Sequence, residues 1–172
     1  LRETEDILRN LRKKRSVAVV QCNLAELLSW QGDLSGALQR VNDGIAQARD
    51  VLFREGEAFG LRLRGAVMLD AGDVGATAED LRASLDMCEA LGMAGETVPS
   101  RYFSGQLALR RGDADTALAH LWAGLQEAGR QDPERYAPAL RAAVARTLSI
   151  TGEFDRAESL LMELVGVVDG LP

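Results

Sequence analysis

One glycine recurs every forty residues along the whole chain, and each copy is followed directly by an aspartate or a glutamate. The four pairs are Gly32–Asp33, Gly72–Asp73, Gly112–Asp113 and Gly152–Glu153. A constant period over a whole chain indicates one structural unit copied in series. The 172 residues are therefore predicted to form a single array, 1–172, rather than two ordinary domains.

Apolar and small residues keep fixed distances from each marker glycine. In the first copy, Ala25 and Leu28 lie seven and four residues before the glycine, and Val41 and Ile45 lie nine and thirteen residues after it. Steps of three, four and seven define one face of an α-helix. Glycine readily adopts the positive φ that ends a helix, and the following acid suits the positive end of the next helix dipole. Each unit is thus predicted to be a helix A, a tight turn and a helix B.

The period places every helix. Helix A is expected at 16–30, 55–70, 97–110 and 134–150, and helix B at 34–52, 74–91, 114–129 and 154–168. The corresponding repeats are 14–53, 54–93, 94–133 and 134–172. Residues 1–13 fit the second half of a preceding helix B, joined to the first helix A by a polar link at 12–15. The expected fold class is all-α, a helical-hairpin solenoid of four A/B pairs plus a partial N-terminal helix. The chain is expected to be a fragment of a longer protein.

Small residues recur where the two helices of a pair should cross. Two helices approach closely only where the side chains at the crossing are small. The predicted crossing residues are Ala25, Gly65, Gly105 and Ala145 on helix A, and Ala37, Ala117 and Ala157 on helix B. A third small position on helix B holds Gly44, Ser84 and Gly124.

These motifs resemble the tetratricopeptide repeat (TPR). The matching residues are Leu24-Ala25-x2-Leu28 with Ala37-x3-Val41, Val144-Ala145-x2-Leu148 with Ala157-x3-Leu161, and Gly65 and Gly105 with Ala117-x3-Leu121. The family spacing is 34 residues, and its opening tryptophan is replaced here by Gln21, Leu61, Arg101 and Arg141. The longer period resembles the TPR arrays of about 40 residues per repeat in bacterial signalling ATPases and transcription activators. HEAT or armadillo repeats, which have a similar period, remain an alternative.

Composition restricts the classes of partner and compartment. The formal net charge of -6 disfavours nucleic acid and anionic membrane surfaces as partners. No apolar stretch is long enough to span a bilayer, and no signal peptide is visible at the N-terminus. Two cysteines are too few for a disulfide framework, so a cytoplasmic protein is expected.

Groups suited to catalysis are scarce. The single histidine, His120, has no second histidine or cysteine at metal-ligand spacing and is expected to be a solvent-facing or flanking helical residue beside Trp122. Cys22 and Cys88 are expected to be packed structural thiols. The recurring acids are explained by helix capping, and no glycine-rich phosphate loop is present. The sequence therefore predicts no enzyme activity, no metal site and no cofactor.

The TPR resemblance implies that the A helices line a concave surface that binds the partner. The positions expected on this surface lie ten, six, three and two residues before each marker glycine. The candidate binding residues chosen from them are Glu26, Trp30, Arg62, Asp70, Tyr102, Gln106, Arg110 and Arg146. The aromatic side chains could anchor apolar groups, and the arginines could bind carboxylates. The alternative is an ordinary mixed helix surface, with Trp30 packed against the next unit.

Three functions fit these features. The first is a non-catalytic protein-interaction module of a larger regulatory or signalling protein, which binds a peptide or a neighbouring domain. The second is a small-molecule sensor that holds an inducer on the same surface. The third is a structural element that self-assembles through uncapped ends containing Leu161, Val165 and Val168.

Overall fold

The computed structural model describes the backbone of residues 2–131 and 133–169 and the side chains of residues 6–7, 9–130 and 135–165. The described residues form eight α-helices and no strand. The helices are α1 (Arg2–Trp30), α2 (Leu34–Asp50), α3 (Arg54–Ala71), α4 (Val74–Leu91), α5 (Ala94–Arg110), α6 (Ala114–Gln131), α7 (Pro133–Ile150) and α8 (Phe154–Asp169). The predicted all-α class of helical hairpins is confirmed. The largest difference at a predicted helix end, apart from α1, is at α5, which begins at residue 94 rather than 97.

The separate N-terminal helix was a wrong prediction. Residues 1–13 were expected to form half of a helix B, with a link at 12–15, but α1 runs without a break from Arg2 to Trp30. Residues 2–30 contain no glycine or proline, and arginine and lysine are good helix formers. The position equivalent to Arg12 has a positive φ in later repeats, at Leu52 and Gly92, and a helix cannot continue through it there.

The marker glycines end the A helices in the same way. The Gly32 amide donates to the Ser29 carbonyl at 2.9 Å, and the Asp33 amide donates to the Leu28 carbonyl at 3.0 Å. This pair of bonds is the Schellman motif, which requires a left-handed residue after the helix. The φ angles are 83° at Gly32, 86° at Gly72, 75° at Gly112 and 85° at Gly152.

The acid after the glycine caps the next helix. The Asp33 carboxylate accepts a hydrogen bond from the Gly36 amide at 2.9 Å, and Asp113 accepts one from the Thr116 amide at 3.0 Å. This hydrogen bond from Thr116 lowers the pKa of the exposed Asp113 carboxyl. The glycine that ends helix A and the acid that caps helix B thus explain the forty-residue marker in physical terms.

The chain divides into two compact units, residues 1–93 and 94–172. In unit 1, α1 pairs with α2 and α3 pairs with α4, while α3 also contacts α1 and α2. Its core contains Cys22, Ala25, Val41, Ile45, Leu61 and Leu63. The predicted crossing at Gly65 is tight, because a Cβ placed there would lie 2.9 Å from Leu81 Cδ2.

Unit 2 repeats this arrangement. Helix α5 pairs with α6 and α7 pairs with α8, while α7 also contacts α5 and α6. Its core contains Val98, Leu121, Ala128, Leu140, Ala143, Val144, Ala145, Leu148 and Ala157. A Cβ at Gly105 would lie 2.6 Å from Leu121 Cγ and 3.3 Å from the Ala117 carbonyl oxygen. The small residues therefore stand where the helices of each pair approach most closely.

A polar network joins three helices of unit 1. Arg64 of α3 donates two hydrogen bonds to the Asp80 carboxylate of α4, at 2.6 and 2.7 Å, and a third to the Asn42 side chain of α2 at 2.9 Å. The side chain of Asp80 is 9% exposed and that of Arg64 is 23% exposed. The two-pronged arginine geometry fits a carboxylate and satisfies both partly buried charges. The hydrogen bond to Asp80 raises the pKa of Arg64, so the pair stays charged.

Candidate interaction surface

Each unit contains two A helices that contact each other, α1 with α3 and α5 with α7. Equivalent positions of two repeats therefore lie on adjacent helices. Cys22 and Arg62, both ten residues before a marker glycine, illustrate this. Burial raises the pKa of the Cys22 thiol to about 11, and the nearby charge of Arg62 partly opposes that rise. Each unit thus carries its own A-helix surface.

Arg62 does not lie on the surface where the sequence predicted it. The side chain is 6% exposed, and its guanidinium lies over the Phe59 ring at 5.1 Å from the centroid. Cys22, at the equivalent position of α1, is 1% exposed. The position ten residues before the glycine therefore faces the packed interior of unit 1, where Arg62 offers little surface to a partner.

The remaining candidates of unit 1 combine one aromatic ring with two acids. Trp30 is 75% exposed, so the alternative in which it packs against the next unit is wrong. Glu26 is half-buried on the same helix, and Asp70 is exposed at the end of α3. This A-helix surface has an acidic character, which an exposed arginine at position 62 would have reduced.

The candidates of unit 2 have the opposite charge. Arg110 at the end of α5 and Arg146 on α7 are both exposed. Gln106 is half-buried, and Tyr102 packs against the core of unit 2 with its ring edge-on to Phe103 at 5.2 Å. Tyr102 is thus partly a core residue and offers less surface than predicted.

One exposed apolar side chain also lies at an A-helix surface position of unit 2. Ile150 is 63% exposed at the end of α7, at the position equivalent to Arg110. It lies two residues before the marker glycine, one of the positions expected on this surface, where the earlier repeats carry Trp30, Asp70 and Arg110. A side chain of this type gives the basic surface an apolar contact point.

Charge is segregated between the two helix layers of unit 2. The A helices α5 and α7 carry Arg101, Arg110, Arg135, Arg141 and Arg146 against Glu96 and Glu134. The B helices α6 and α8 carry Asp115, Glu127, Asp155, Glu158, Glu163 and Asp169 against Arg130 and Arg156. An acidic protein thus presents a locally basic layer, which attracts negatively charged segments over short distances.

His120 is half-buried on α6, which fits the expected flanking position rather than a fully solvent-facing one. Its Nδ1 atom is buried without a hydrogen-bond partner. Burial lowers the pKa of His120, and the positive charge of Arg101 lowers it further. No group of three or more histidine, cysteine or acidic side chains in the described part of the chain is arranged to hold a metal ion.

No helix among the described residues combines the length and apolar character needed to cross a membrane. Both cysteines are buried, and they do not form a disulfide with each other.

No protein-family model matches the chain, and no curated protein matches its sequence. Among solved structures, BtubC (BKLC) from P. vanneervenii superposes with a TM-score of 0.75 over 90% of this chain at 12% identity. The chain spans 65% of the length of BtubC. Two structures of nearly identical TPR-like repeats from a kinesin light chain-like protein of Podosopora anserina align at 13% identity over 89% of this chain and 95% of theirs, with TM-scores of 0.42 and 0.43. The likeness to BtubC at such low identity shows that the helical-repeat fold is shared.

Proposed function

We propose that this chain is a non-catalytic interaction module that binds an acidic peptide segment on the A-helix surface of unit 2. The observation that carries the proposal is the separation of charge between the basic helices α5 and α7 and the acidic helices α6 and α8. Arg110 and Arg146 supply exposed guanidinium groups for carboxylates, and Ile150 supplies an apolar contact. The preferred ligand would be a short segment that combines acidic residues with an aliphatic one.

The proposal also covers the compartment and the parent protein of this module. The chain acts in the cytoplasm as a module of a larger regulatory or signalling protein. Two buried thiols without a disulfide support a reducing compartment, and the raised pKa of Cys22 keeps that thiol protonated and inert.

Direct binding to a defined probe tests the proposal. The probe is a fluorescein-labelled peptide of glutamates with one central leucine, and its control replaces every glutamate with lysine. Fluorescence anisotropy should show saturable binding of the acidic peptide and none of the basic one. Arg110→Glu with Arg146→Glu should weaken binding by more than about tenfold, because each lost contact to a charged group is worth roughly 1.5–3 kcal/mol.

A matched control reverses two arginines of the B layer. Arg130→Glu with Arg156→Glu changes the net charge by the same amount at side chains that are 64% and 61% exposed. This control should retain binding. Equal losses in both double variants would mean that only net charge matters, and the proposed surface would have to be abandoned. Stabilisation by a small metabolite with no effect of the peptide would instead favour the sensor function.

A further inference from the structure

Helices α6 and α8 of unit 2 both pack on α7, and an open cavity of about 320 Å³ lies between them. Its lining consists of Trp122 of α6 and Asp155, Arg156, Ser159, Leu160 and Glu163 of α8. Ligand pockets start at about 300 Å³, so the cavity suits one side chain of a partner better than a large molecule. The lining residues belong to the B helices, whereas Arg110 and Arg146 of the proposed peptide surface belong to the A helices.

The residues of α8 in the cavity lie at positions that α2 also exposes. These positions of α2 are exposed although α3 and α4 follow in unit 1, and they hold Ser35, Gln39 and Asp43. Trp122 is likewise 37% exposed although α7 and α8 follow α6. Exposure of these positions is therefore a property of the B-helix layer within the repeats.

Unit 1 fills the equivalent groove with an arginine of its own. Arg64 of α3 donates two hydrogen bonds to Asp80 of α4 and one to Asn42 of α2. Eighty residues later, these three positions hold Val144, Leu160 and Trp122. The A helix of unit 2 therefore supplies no guanidinium to the groove, and an aromatic ring takes the place of the asparagine.

Two acids of α8 flank the level of the Trp122 ring. Asp155 and Glu163 are eight residues apart on one face of the helix, with Ser159 between them. A rise of about 1.5 Å per residue places each acid roughly 6 Å along the helix axis from Ser159. The equivalent positions of α4 are neutral and hold Gly75 and Ala83. The cavity of unit 2 thus has carboxylates where the groove of unit 1 has none.

The other polar groups of the cavity leave these carboxylates available to a cation. Arg156 donates a hydrogen bond to Glu153, in the turn before α8, so its charge is already matched. The Ser159 hydroxyl donates to the Asp155 carbonyl at 2.9 Å, so its oxygen can still accept a hydrogen bond. A tryptophan ring attracts a cation to its face, and the apolar surface of the ring and of Leu160 suits the methylene groups of a long basic side chain.

We propose that this cavity binds an arginine side chain of a basic protein segment, with the guanidinium on the Trp122 ring and hydrogen-bonded to Asp155 or Glu163. In unit 1 the chain places its own Arg64 between the B helices, and in unit 2 the partner supplies the equivalent group. Arginine is favoured over lysine because the planar guanidinium stacks on aromatic rings and matches a carboxylate. The site is separate from the A-helix surface, so the two proposals stand or fall independently.

The fluorescence of Trp122 tests the proposal directly. The full chain carries Trp30→Phe, which leaves Trp122 as its one tryptophan. The probe is a peptide of arginine, glycine and serine, and the control peptide replaces each arginine with citrulline, which keeps the shape of arginine without its charge. The arginine peptide should change the emission of Trp122 in a saturable manner, and the citrulline peptide should not. Equal responses to both peptides, or no response to either, would overturn the proposal.

Variants locate the binding groups, with fluorescence anisotropy of the labelled arginine peptide as the readout. Asp155→Asn with Glu163→Gln should weaken binding by more than about tenfold, because hydrogen bonds between charged groups are lost. Trp122→Leu keeps an apolar side chain without the ring and should weaken binding about threefold or more. Circular dichroism checks the fold of each variant, and the citrulline comparison tests the proposal without any change at the cavity.

The matched control removes two other acids of the same helices. Asp115→Asn with Glu158→Gln causes the same change in net charge at exposed positions outside the cavity, and Asp115, like Asp155, lies in the first turn of its helix. This control should retain binding at about 0.15 M salt, where distant exposed charges are largely screened. Equal losses in the two double variants would mean that the peptide responds to the overall acidity of the B helices, and the cavity would not be its site.

Discussion

The turns of this repeat use two residue types at the left-handed position. Glycine stands there after the A helices, with Gly72 at φ 86°, whereas Leu52 adopts φ 52° after α2. A left-handed conformation costs an ordinary residue roughly 1–2 kcal/mol. The Leu52 side chain offers little in return, because it is 81% exposed.

Leu52→Gly is therefore expected to be neutral or to raise the free energy of unfolding by up to about 1 kcal/mol, because the relief of strain is partly offset by the flexibility of glycine. Gly72→Ala should lower it by about 1 kcal/mol. A Cβ at Gly72 would meet no atom within 4 Å, so that loss comes from the backbone alone. Urea denaturation measures both changes. An unchanged stability in Gly72→Ala would contradict the account of the turn.

His120 is expected to make the stability of the protein depend on pH. Because its pKa is lowered in the folded protein, the unfolded chain binds this proton more readily. The free energy of unfolding should fall as the pH drops through about 6.5 and stop falling below the folded pKa. His120→Leu, which copies Leu160 of the last repeat, should remove this part of the pH dependence.

The chain has one histidine, so no other imidazole contributes to its NMR signal or to this part of the pH dependence. Proton NMR should give a titration midpoint below about 6.5 for His120. Urea denaturation of the wild-type chain and of His120→Leu, above and below about pH 6.5, shows how the free energy of unfolding of each depends on pH. A midpoint at or above the ordinary value would refute the burial of Nδ1.

At the scale of helices, small residues set the distance between the members of a pair. Ala117 is 0% exposed at the crossing of α6 with α5. Ala117→Leu should lower the free energy of unfolding by about 1–3 kcal/mol through overpacking. Ala119→Leu on the exposed side of the same helix is the control and should change stability by less than about 0.5 kcal/mol. Similar losses in both variants, measured by urea denaturation, would remove the packing explanation.

The hydrogen bonds of Arg64 join α3 to α4 and α2 through polar and charged side chains. Asp80→Ala leaves the partly buried guanidinium of Arg64 without its carboxylate and should cost roughly 2–4 kcal/mol. Arg64→Val with Asp80→Leu installs the residues found at these positions in the last repeat, Val144 and Leu160. The double variant should be more stable than the single one, because no unpaired charge remains. Thermal unfolding measures the stability of both variants. A double variant less stable than Asp80→Ala would contradict the explanation by an unpaired charge.

For the whole molecule, a net charge of -6 opposes the approach of an acidic peptide, whereas the A layer of unit 2 attracts it. At 0.1 M salt, interactions between exposed charges more than about 10 Å apart are largely screened. Binding of the glutamate peptide should weaken as salt increases if direct contacts with Arg110 and Arg146 dominate, and Arg110→Glu with Arg146→Glu should remove that dependence. Anisotropy titrations across a salt series measure it. Binding that strengthens with salt would show that overall repulsion outweighs the local contacts.

Local features of the chain were predictable because their causes are local. The glycine that ends helix A and the acid that caps helix B act within a few residues, so the period alone located the turns and the helices. The same reasoning failed at residues 12–15, where the forty-residue pattern predicted a break. The residues there are good helix formers, and their local preference prevailed over the pattern.

The repeated helical hairpin, its turns and the small residues at its crossings follow from the order of residues within one repeat. Which side chains reach solvent depends instead on how the helices pack. That packing buried Arg62 over Phe59, left Trp30 exposed, and uncovered Val165 although Ile45 at the same repeat position is buried. The reason is that burial depends on which other helix covers a position, and a local sequence pattern does not specify that helix.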